Sequence, residues 1–573
     1  MFRSWWAVLI VVAAGTCFAV IGTTPPGPVP ASAPENIFSA ERAMVDVERI
    51  AVEPHITGSA ANVRVQAYLE ERLSNLGFEV RSEPFELPER SAERLVDLFG
   101  SEGMVGPPTN IIGTRGDVDA GDALLLMAHY DSAAGSPGAS DDAAGVAAIL
   151  EVARALPSGA TAGRGLVVLF TDAEEIGLSG ARQFFAEDPL RMKVGAIVNL
   201  EARGAGGRTL LFQTSQGNGE AVALYDEVVD GPAGSSLGTF VYDLLPNDTD
   251  LTPALASEIP YVAYNFAFVG RPGLYHSPMA TPANLDRGSL QDMGAQALDL
   301  TRALLNGPLP EPSPSWTFFD IFGLTMVSYG TAIGWALIVV VVGLYAGAVR
   351  HGLWLTPVAF GAGATLTLLA VGGGLLYLGN LVSGADGPMN YYDRLAAIPK
   401  LMVMAVLLLV SSVFTVLAMF ARRDTQLPSF AFGTALPIFL AAVGVQLAAP
   451  TTAYLLVVPL LLAGLVALLM SRPERPFLGT VGGVLALSFA AVSVGYLTVF
   501  GFQLMQSVGG FTPEPAVFAM ALAALTLWPL MPAVRKMRAQ AVAGALLLAG
   551  MGVALWVRLD PVADSVATYS SFG

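Results

Sequence analysis

Uninterrupted hydrophobic segments lie at both ends of the chain, and a polar region separates them. The first, Trp5–Ile21, follows Arg3 and precedes a proline-rich stretch over 24–34. Beyond Trp316 the chain contains eight further apolar segments that are long enough to cross a bilayer. They lie near 327–348, 356–378, 401–420, 429–448, 453–470, 480–501, 516–533 and 540–557. The pattern therefore predicts nine membrane spans and an all-α, polytopic membrane domain.

The basic residues between the predicted spans are unevenly distributed. If the amino terminus is cytoplasmic, the opposite loops carry Arg394 and Lys400, and Arg558 lies in the tail. The cytoplasmic side then holds Arg350, Arg422, Arg423, Arg472, Arg475, Arg535, Lys536 and Arg538. Because an excess of Lys and Arg marks the cytoplasmic side of a membrane protein, we expect residues 24–326 to lie outside the cytoplasm.

Two interpretations of the first apolar segment stay open. The triplet Ala31-Ser32-Ala33 matches a signal-peptidase site, but the apolar run is long for a signal peptide. We favour an uncleaved anchor, and both interpretations place the polar region after it outside the cytoplasm. None of the eight later predicted spans contains a charged residue, which disfavours transport because transporters usually carry ionisable groups at membrane depth.

Between about 35 and 306 the pattern changes to alternating helices and short apolar strands. Residues 59–77 have apolar side chains spaced three and four apart, which indicates an amphipathic helix. Strands are predicted at 122–130, 165–173, 195–202 and 261–269, and a last helix at 285–305. These strands are too continuously apolar for burial on one face only. We therefore expect an α/β domain with a mostly parallel mixed sheet between helical layers.

The predicted organisation has five parts. They are an anchor at 1–23, a proline-rich linker at 24–34, the α/β domain at 35–306, a linker or interfacial segment at 307–326, and the eight-span domain at 327–573.

Acidic charge is concentrated in the first half of the chain. Residues before Ser315 contribute about −20 to the net charge of −17, and the remainder contributes about +3. Since phosphate binding needs clustered Lys and Arg, this balance argues against nucleic acid as a partner. The single cysteine, Cys17, lies in the first apolar segment, which excludes an internal disulfide.

Carboxylates and histidines recur where the predicted strands end. They are His129 and Asp131 in MAHYDS, Asp141 in GASDDAAG, Glu174 and Glu175 in FTDAEEIG, Glu201 in NLEARG, and His276 in LYHSP. Taken alone, a DD pair before a helix is ordinarily an N-cap, and an EE pair after a strand is ordinarily solvated. The whole series, placed at strand ends and a helix start, instead predicts a paired-metal hydrolase site. The other histidines, His55 and His351, are interpreted as structural or loop residues.

These motifs resemble those of a known family. The HxD motif at 129–131, the DD pair twelve residues after the His, the EE pair and the late YH are similar to those of the co-catalytic di-zinc aminopeptidases, which include glutamate carboxypeptidase and glutaminyl cyclase. The resemblance covers about 35–305. One anchor, a proline-flanked domain and a many-span carboxyl half further resemble the endoplasmic reticulum metallopeptidase and vacuolar membrane protease subgroup. In that subgroup NLEA followed by GAGG holds the position of the last carboxylate ligand.

The resemblance implies two Zn²⁺ per chain. It assigns His129 and Glu201 to one metal, Glu175 and His276 to the other, and Asp141 as the bridge between them. Glu201 departs from the soluble members, which commonly have Asp there, so the geometry of the first metal is the least determined.

The resemblance also implies the catalytic roles. Glu174 is the implied general base, Asp131 the acceptor that holds the imidazole of His129, and Tyr275 a donor to the tetrahedral oxyanion. It further implies a cis peptide bond between Asp141 and Asp142.

The implied function is a membrane-anchored zinc aminopeptidase that acts on peptide substrates. Its amino terminus would be cytoplasmic and its catalytic domain extracytoplasmic, in a bacterial plasma membrane by preference or in an organelle lumen if the source is eukaryotic. Two alternatives stay open, namely a single-zinc acyltransferase resembling glutaminyl cyclase and a non-catalytic scaffold or receptor. The expected partners are peptides and the lipid bilayer, and the sequence predicts no particular oligomeric state.

Overall fold

The computed structural model describes residues 3–559 except 100–103, 158–162, 246, 388–390, 421–426 and 472–475. The described chain separates into two compact units. One runs from Thr24 to Ser328, and the other joins helix α1 (Trp5–Thr23) to the chain from Tyr329 onward. Four of the basic residues predicted to be cytoplasmic lie outside the described residues, namely Arg422, Arg423, Arg472 and Arg475.

The unit from Thr24 to Ser328 is built on a seven-stranded mixed sheet. Its strands are β1 (Glu79–Pro84), β2 (Thr109–Arg115), β3 (Ala123–His129), β4 (Leu166–Thr171), β5 (Val194–Ala202), β6 (Gly206–Thr214) and β7 (Val262–Gly270). Across the sheet their order is β1-β2-β4-β3-β5-β7-β6. The central strands β4, β3, β5 and β7 pair in parallel, and the remaining pairings are antiparallel. The predicted α/β class is confirmed, and the four predicted strands are these central four.

Helices cover both faces of this sheet. They are α2 (Ala40–Ile50), α3 (Ala60–Asn75), α4 (Glu89–Phe99), α5 (Ala143–Ala155), α6 (Ser179–Glu187), α7 (Gly219–Val228), α8 (Ser236–Tyr242), α9 (Leu251–Leu255) and α10 (Arg287–Asn306). Leu124 and Leu126 of β3 lie in the core beneath α2, α5 and α10, whereas Leu125 and Met127 lie in the opposite core beneath α6 and α9. Burial on both faces explains why the strand is continuously apolar.

The two predicted helices of this unit are also present. Residues 59–77 contain α3, which begins after Ser59, whose hydroxyl accepts a hydrogen bond from the backbone N–H of Asn62 over 3.1 Å. The helix predicted at 285–305 is α10, and Asp286 caps it in the same way, with Oδ1 accepting from the N–H of Gly288 over 2.8 Å.

The segment predicted as a linker or interfacial region contains two short strands. They form a hairpin of β8 (Thr317–Ile321) and β9 (Thr325–Tyr329), and the span predicted near 327–348 falls on the helix that begins at Thr331. The side chains of Phe318 and Met326 lie in the core of the α/β unit. The hairpin is therefore part of the α/β unit, with these apolar side chains buried in its core.

The second unit is helical. Besides α1 it contains α11 (Thr331–Ala348), α12 (Leu355–Val382), α13 (Tyr391–Phe420), α14 (Leu427–Ala448), α15 (Tyr454–Met470), α16 (Pro476–Ser507), α17 (Ala516–Leu527) and α18 (Lys536–Leu559). Among the described residues, seven helices are long and apolar enough to cross a membrane, namely α1, α11, α12, α13, α14, α16 and α18. The other two predicted spans fall on α15 and α17, which are shorter apolar helices.

One residue that we expected in a loop lies inside this unit. Arg394 belongs to α13 and is only 1% exposed. Its guanidinium donates to the carbonyl of Gly510 over 2.7 Å, to the hydroxyl of Ser383 over 3.0 Å and to the side-chain oxygen of Asn380. Lys400, the other predicted loop residue, also lies in α13.

Candidate metal centre

The predicted donor residues converge at the carboxyl ends of the central parallel strands. His129 is the last residue of β3, Glu174 and Glu175 follow β4, and Glu201 is next to last in β5. His276 follows β7, from which a short 3-10 turn separates it. Because parallel strands all end at the same edge of a sheet, residues distant in sequence meet there.

Asp141 lies between the two imidazoles. Its Oδ1 is 3.1 Å from Nε2 of His129, and its Oδ2 is 2.9 Å from Nε2 of His276. A further carboxylate accompanies each imidazole. Oε2 of Glu201 is 3.8 Å from Nε2 of His129, and Oε1 of Glu175 is 3.0 Å from Nε2 of His276. The five residues thus form two donor sets that share one carboxylate.

The adjacent aspartates have different surroundings. Asp142 accepts a hydrogen bond from the N–H of Gly145 over 3.1 Å and so caps α5, while Asp141 faces the histidines. The peptide bond that joins the two aspartates is cis, as the resemblance implies. The N-cap interpretation and the metal-site interpretation of the DD pair therefore each describe one of its members.

Asp131 lies beneath the site and contacts several of its parts. Its carboxylate accepts hydrogen bonds from the backbone N–H of Glu174 over 3.1 Å, from that of Glu175 over 3.2 Å and from the hydroxyl of Thr57 over 3.2 Å. The Nδ1 of His129 is 3.0 Å from the backbone carbonyl of Asp131 but 3.5 Å from its carboxylate. The imidazole is thus oriented by the main chain of Asp131, and the carboxylate mainly holds the turn after β4.

That turn is also held from outside the site. Ala173 and Leu178 have φ of 63° and 58°, so the chain reverses sharply around Glu174 and Glu175. Leu95 of α4 packs with Ala173 and Ile176 in a small apolar cluster. Helix α4 therefore supports the segment that carries the two glutamates.

Tyr275 lies against the second histidine. Its ring stacks on that of His276 with a centroid distance of 3.7 Å and an interplanar angle of 18°. His276 itself has a φ of 52°. The stacking restrains the imidazole, and the tyrosine ring is a component of the site.

Both imidazoles favour the protonated state in this environment. Burial disfavours charge on the ring of His129, but the neighbouring carboxylates of Asp131 and Asp141 outweigh burial and raise its pKa well above the ordinary value. Burial also opposes charge on His276, yet Glu175 and Asp141 raise the pKa of that residue to about 10. The carboxylates around each ring thus favour a positive charge at that position.

The pKa values of the glutamates are raised as well, which favours their neutral form. Burial raises the pKa of Glu201 to about 8 and that of Glu174 well above its ordinary value, and the neighbouring carboxylates add to both effects. Four acidic side chains thus converge on a site with two imidazoles, and a divalent cation would relieve their mutual repulsion.

The donor atoms fit zinc. Three groups each bring one ligand atom per residue within 4.8 Å of one another: His129, Asp141 and Glu201; His129, Glu174 and Glu175; and Asp141, Glu175 and His276. Oε1 of Glu201 is buried and accepts no hydrogen bond from the described residues. Mixed nitrogen and oxygen donors are the ligand type that zinc takes in catalytic sites.

The two remaining histidines lie outside these donor sets. His55 is buried, with its Nδ1 donating to the carbonyl of Glu53 over 3.0 Å and its backbone N–H donating to the hydroxyl of Ser132 over 2.9 Å. His351 is exposed, and Arg350 donates to its Nε2 over 2.8 Å.

Sequence reasoning missed polar residues that surround the site. Asp250 is fully buried and accepts a hydrogen bond from the hydroxyl of Thr171, the residue paired with His129 across the β3 and β4 strands. Asn199 and Asn265 are fully buried within β5 and β7. Asn199 and Asn265 could have been recognised from the sequence, because they are polar residues inside otherwise apolar strands.

Residues 110–301 match the model of Peptidase family M28. The chain is 30% identical over 315 residues to endoplasmic reticulum metallopeptidase 1 of Rattus norvegicus, a match that covers 52% of this chain and 35% of the relative. It is 31% identical over 297 residues to the vacuolar membrane protease of Eremothecium gossypii, covering 49% and 28%. The match thus spans about a third of the length of these relatives. The predicted resemblance to this family and its membrane subgroup is confirmed.

Solved structures are also similar to part of the chain. A glutaminyl cyclase of Porphyromonas gingivalis aligns with a TM-score of 0.37 and 22% identity, covering 46% of this chain and 97% of that one. An aminopeptidase of Aneurinibacillus sp. strain AM-1 aligns with a TM-score of 0.35 and 15% identity, covering 48% and 98%.

Proposed function

We propose that the protein is a membrane-bound zinc metallopeptidase that releases amino-terminal residues from peptides. The observation that carries the proposal is the position of Asp141, whose two oxygens each face one imidazole, with Glu201 beside the first and Glu175 beside the second. Such an arrangement supplies one shared and two separate carboxylates, which suits a pair of metal ions.

The proposal assigns two zinc ions to these donors. His129, Asp141 and Glu201 would hold one ion, and Asp141, Glu175 and His276 would hold the other. When bound, the ions supply a polarised scissile carbonyl and a water that is nucleophilic at neutral pH.

Glu174 is the proposed general base. Its carboxylate would accept a proton from the attacking water and deliver that proton to the leaving amine. A carboxylate oxygen of Glu174 lies in the group formed with His129 and Glu175, and its backbone N–H is fixed by Asp131. The base is thereby held next to the donors without being one of the residues of either proposed metal set.

Tyr275 is the proposed donor to the carbonyl oxygen. Its O–H would stabilise the negative charge that develops there as the carbonyl carbon becomes tetrahedral. Stacking on His276 restrains the ring and so limits the positions that the hydroxyl can take.

The proposed location is an extracytoplasmic surface. Seven apolar helices of spanning length, with relatives named for membrane compartments, support a multi-pass membrane protein. We place the amino terminus in the cytoplasm and residues 24–326 outside it, in a bacterial plasma membrane, because the described Arg350, Arg535, Lys536 and Arg538 would then lie on the cytoplasmic side.

Substitution of the base tests this function. Purified full-length protein in detergent should hydrolyse aminoacyl chromogenic substrates and contain two zinc ions per chain by elemental analysis. Glu174→Gln should retain both ions and lose activity by about 10²-fold or more, since general-base catalysis is worth that much. Glu187→Gln, which changes an exposed glutamate on α6, serves as the matched control.

Each other outcome points to a different function. Undiminished hydrolysis by the Glu174 variant would contradict the role of that residue. One zinc per chain together with cyclisation of amino-terminal glutamine would favour the acyltransferase, and absence of both metal and activity would favour a scaffold.

A further inference from the structure

A ladder of three amide side chains crosses the sheet beneath the metal centre. Asn199 of β5, Asn265 of β7 and Gln213 of β6 are register partners on adjacent strands. Asn199 donates to the side-chain oxygen of Asn265 over 2.9 Å, and Asn265 donates to that of Gln213 over 3.0 Å. Asn265 also donates to the hydroxyl of Thr249 over 2.8 Å. We call Asn199, Asn265 and Gln213 the amide ladder.

The amide ladder occupies a face that is otherwise apolar. Ile197 and Ala263 precede the two asparagines on the same face of their strands and belong to the core beneath α6 and α9. Asn199 and Asn265 are both 0% exposed. Apolar side chains could fill these positions without any need for hydrogen-bond partners, so the amides are explained better by the residues above them than by the core itself.

Glu201 lies above Asn199 in the same strand. The two are separated by two positions in β5 and therefore project from the same face about 7 Å apart. The register partner of Glu201 on β7 is Ala267, whose methyl group leaves the long glutamate side chain without a bulky neighbour on that strand. On that strand, therefore, no bulky side chain restrains Glu201, and Asn199 is its neighbour below on the same face of β5.

The hydrogen bond to Asn265 fixes which way the Asn199 amide faces. Nδ2 is directed toward β7, so Oδ1 occupies the other side of the planar group, toward β3, where the register partner of Asn199 is Met127. This oxygen is buried and accepts no hydrogen bond from the described residues. The hydrogen bond to Asn265 thus holds the amide in one orientation directly below Glu201 on the same face of β5.

The second donor set is supported differently. The backbone N–H of Glu175 is held by the carboxylate of Asp131, on the opposite side of β3 from the amide ladder. Damage to the amide ladder should therefore affect one donor set and spare the other.

We propose that the amide ladder positions Glu201 for metal binding, with Asn199 as the positioning residue and Asn265 as its anchor. The inference rests on the proposed function only in taking Glu201 as a ligand. Residues that orient a metal ligand typically change metal affinity by tenfold to a hundredfold when they are removed, and this sets the expected effect.

The test measures retention of zinc. Zinc-loaded full-length Asn199→Ala and Asn265→Ala are dialysed against graded chelator concentrations, and the zinc remaining per chain is determined by elemental analysis. We expect one of the two ions to leave each variant at a chelator concentration about tenfold lower than in the wild type, while the second ion leaves as before. Because the two asparagines act through one hydrogen bond, the double variant should lose no more affinity than the larger single effect.

Asn218→Ala is the matched control. This asparagine is also buried, donating to the hydroxyl of Thr214 over 2.8 Å and accepting from the N–H of Trp316 over 3.2 Å, but it lies beyond the end of β6 that is remote from Glu201. Its substitution should lower the melting temperature and leave both zinc titrations unchanged. Gln213→Ala, at the outer end of the amide ladder, gives a milder variant if either asparagine variant fails to fold, and it should weaken the same ion.

Two results would overturn the inference. Zinc titrations of Asn199→Ala and Gln213→Ala that coincide with the wild type would show that the amide ladder only stabilises the sheet. Equal weakening of both ions in these variants would show a general loss of structure. A wild type that binds no zinc would instead refute the proposed function, so the two failures are distinguishable.

Discussion

The backbone N–H of Glu174 donates a hydrogen bond to Oδ1 of Asp131 over 3.1 Å, although 43 residues separate them in the chain. The other carboxylate oxygen accepts from the N–H of Glu175. One buried side chain thus fixes the main chain that carries both the proposed base and a proposed ligand. The HxD motif therefore orients a histidine through its backbone and a glutamate pair through its carboxylate.

Replacing Asp131 should impair stability and catalysis together. Asp131→Ala leaves two backbone N–H groups without their acceptor, which we expect to lower the free energy of unfolding by about 2 kcal/mol or more. Displacement of Glu174 should lower kcat about tenfold or more. Asp131→Asn, which keeps the shape and one acceptor oxygen, should be intermediate in melting temperature and kcat. Wild-type values for the alanine variant would contradict this account.

Removal of metal should destabilise the α/β unit. Without a cation, four carboxylates that are buried or half-buried converge on two imidazoles, so dialysis against chelator should lower the melting temperature, and added zinc should restore it. Zinc at a thousandfold excess over its Kd stabilises by about 4 kcal/mol through mass action. The His276→Ala variant should show a smaller shift on chelation, because one donor set is incomplete. A melting temperature that chelator leaves unchanged would argue against a metal at this site.

Gly294 in α10 should resist substitution by alanine. Alanine ordinarily stabilises a helix by about 1 kcal/mol relative to glycine. Here a Cβ would overlap the ring of Phe38, which is 1% exposed, so Gly294→Ala should lower stability by about 1 to 3 kcal/mol. Phe38→Leu in the same chain should recover part of the loss. Differential scanning calorimetry of the two single variants and the double variant measures this. If the stability losses of the two single variants simply add in the double variant, the overlap with Phe38 is not the cause.

Arg394 should be required for the helical unit. Arg394→Met leaves buried acceptors on Gly510, Ser383 and Asn380 without their donor. We expect this to lower the free energy of unfolding by about 2 kcal/mol or more. Arg394→Lys should restore little, because an ammonium cannot reproduce the planar fork of a guanidinium. The comparison variant is Lys400→Met in the same helix. The ammonium of Lys400 lies 4.4 Å from the centroid of the Trp556 ring, and its removal should lower the free energy of unfolding by about 0.5 kcal/mol. Thermal unfolding in detergent measures all three, and equal shifts would refute the prediction.

Local sequence patterns predicted the parts of this protein that depend on local physics. The central strands are continuously apolar because both faces of each are buried. The donor residues could be found because each lies at or just after the end of such a strand, or just before a helix. The edge strand β1 and its neighbour β2 carry mixed side chains, and so they gave no comparable signal. The hairpin of β8 and β9 lies almost wholly in the segment that was predicted as a linker, because two strands of five residues each gave no clear alternating pattern.

Contacts between elements far apart in the chain were decided only by the tertiary structure. They include the backbone support from Asp131, the register that joins Asn199 to Asn265, and the burial of Arg394. The sequence determined which residues stand at strand ends. How those ends are brought together depends on strand order and packing, and no periodicity within one segment encodes either of them.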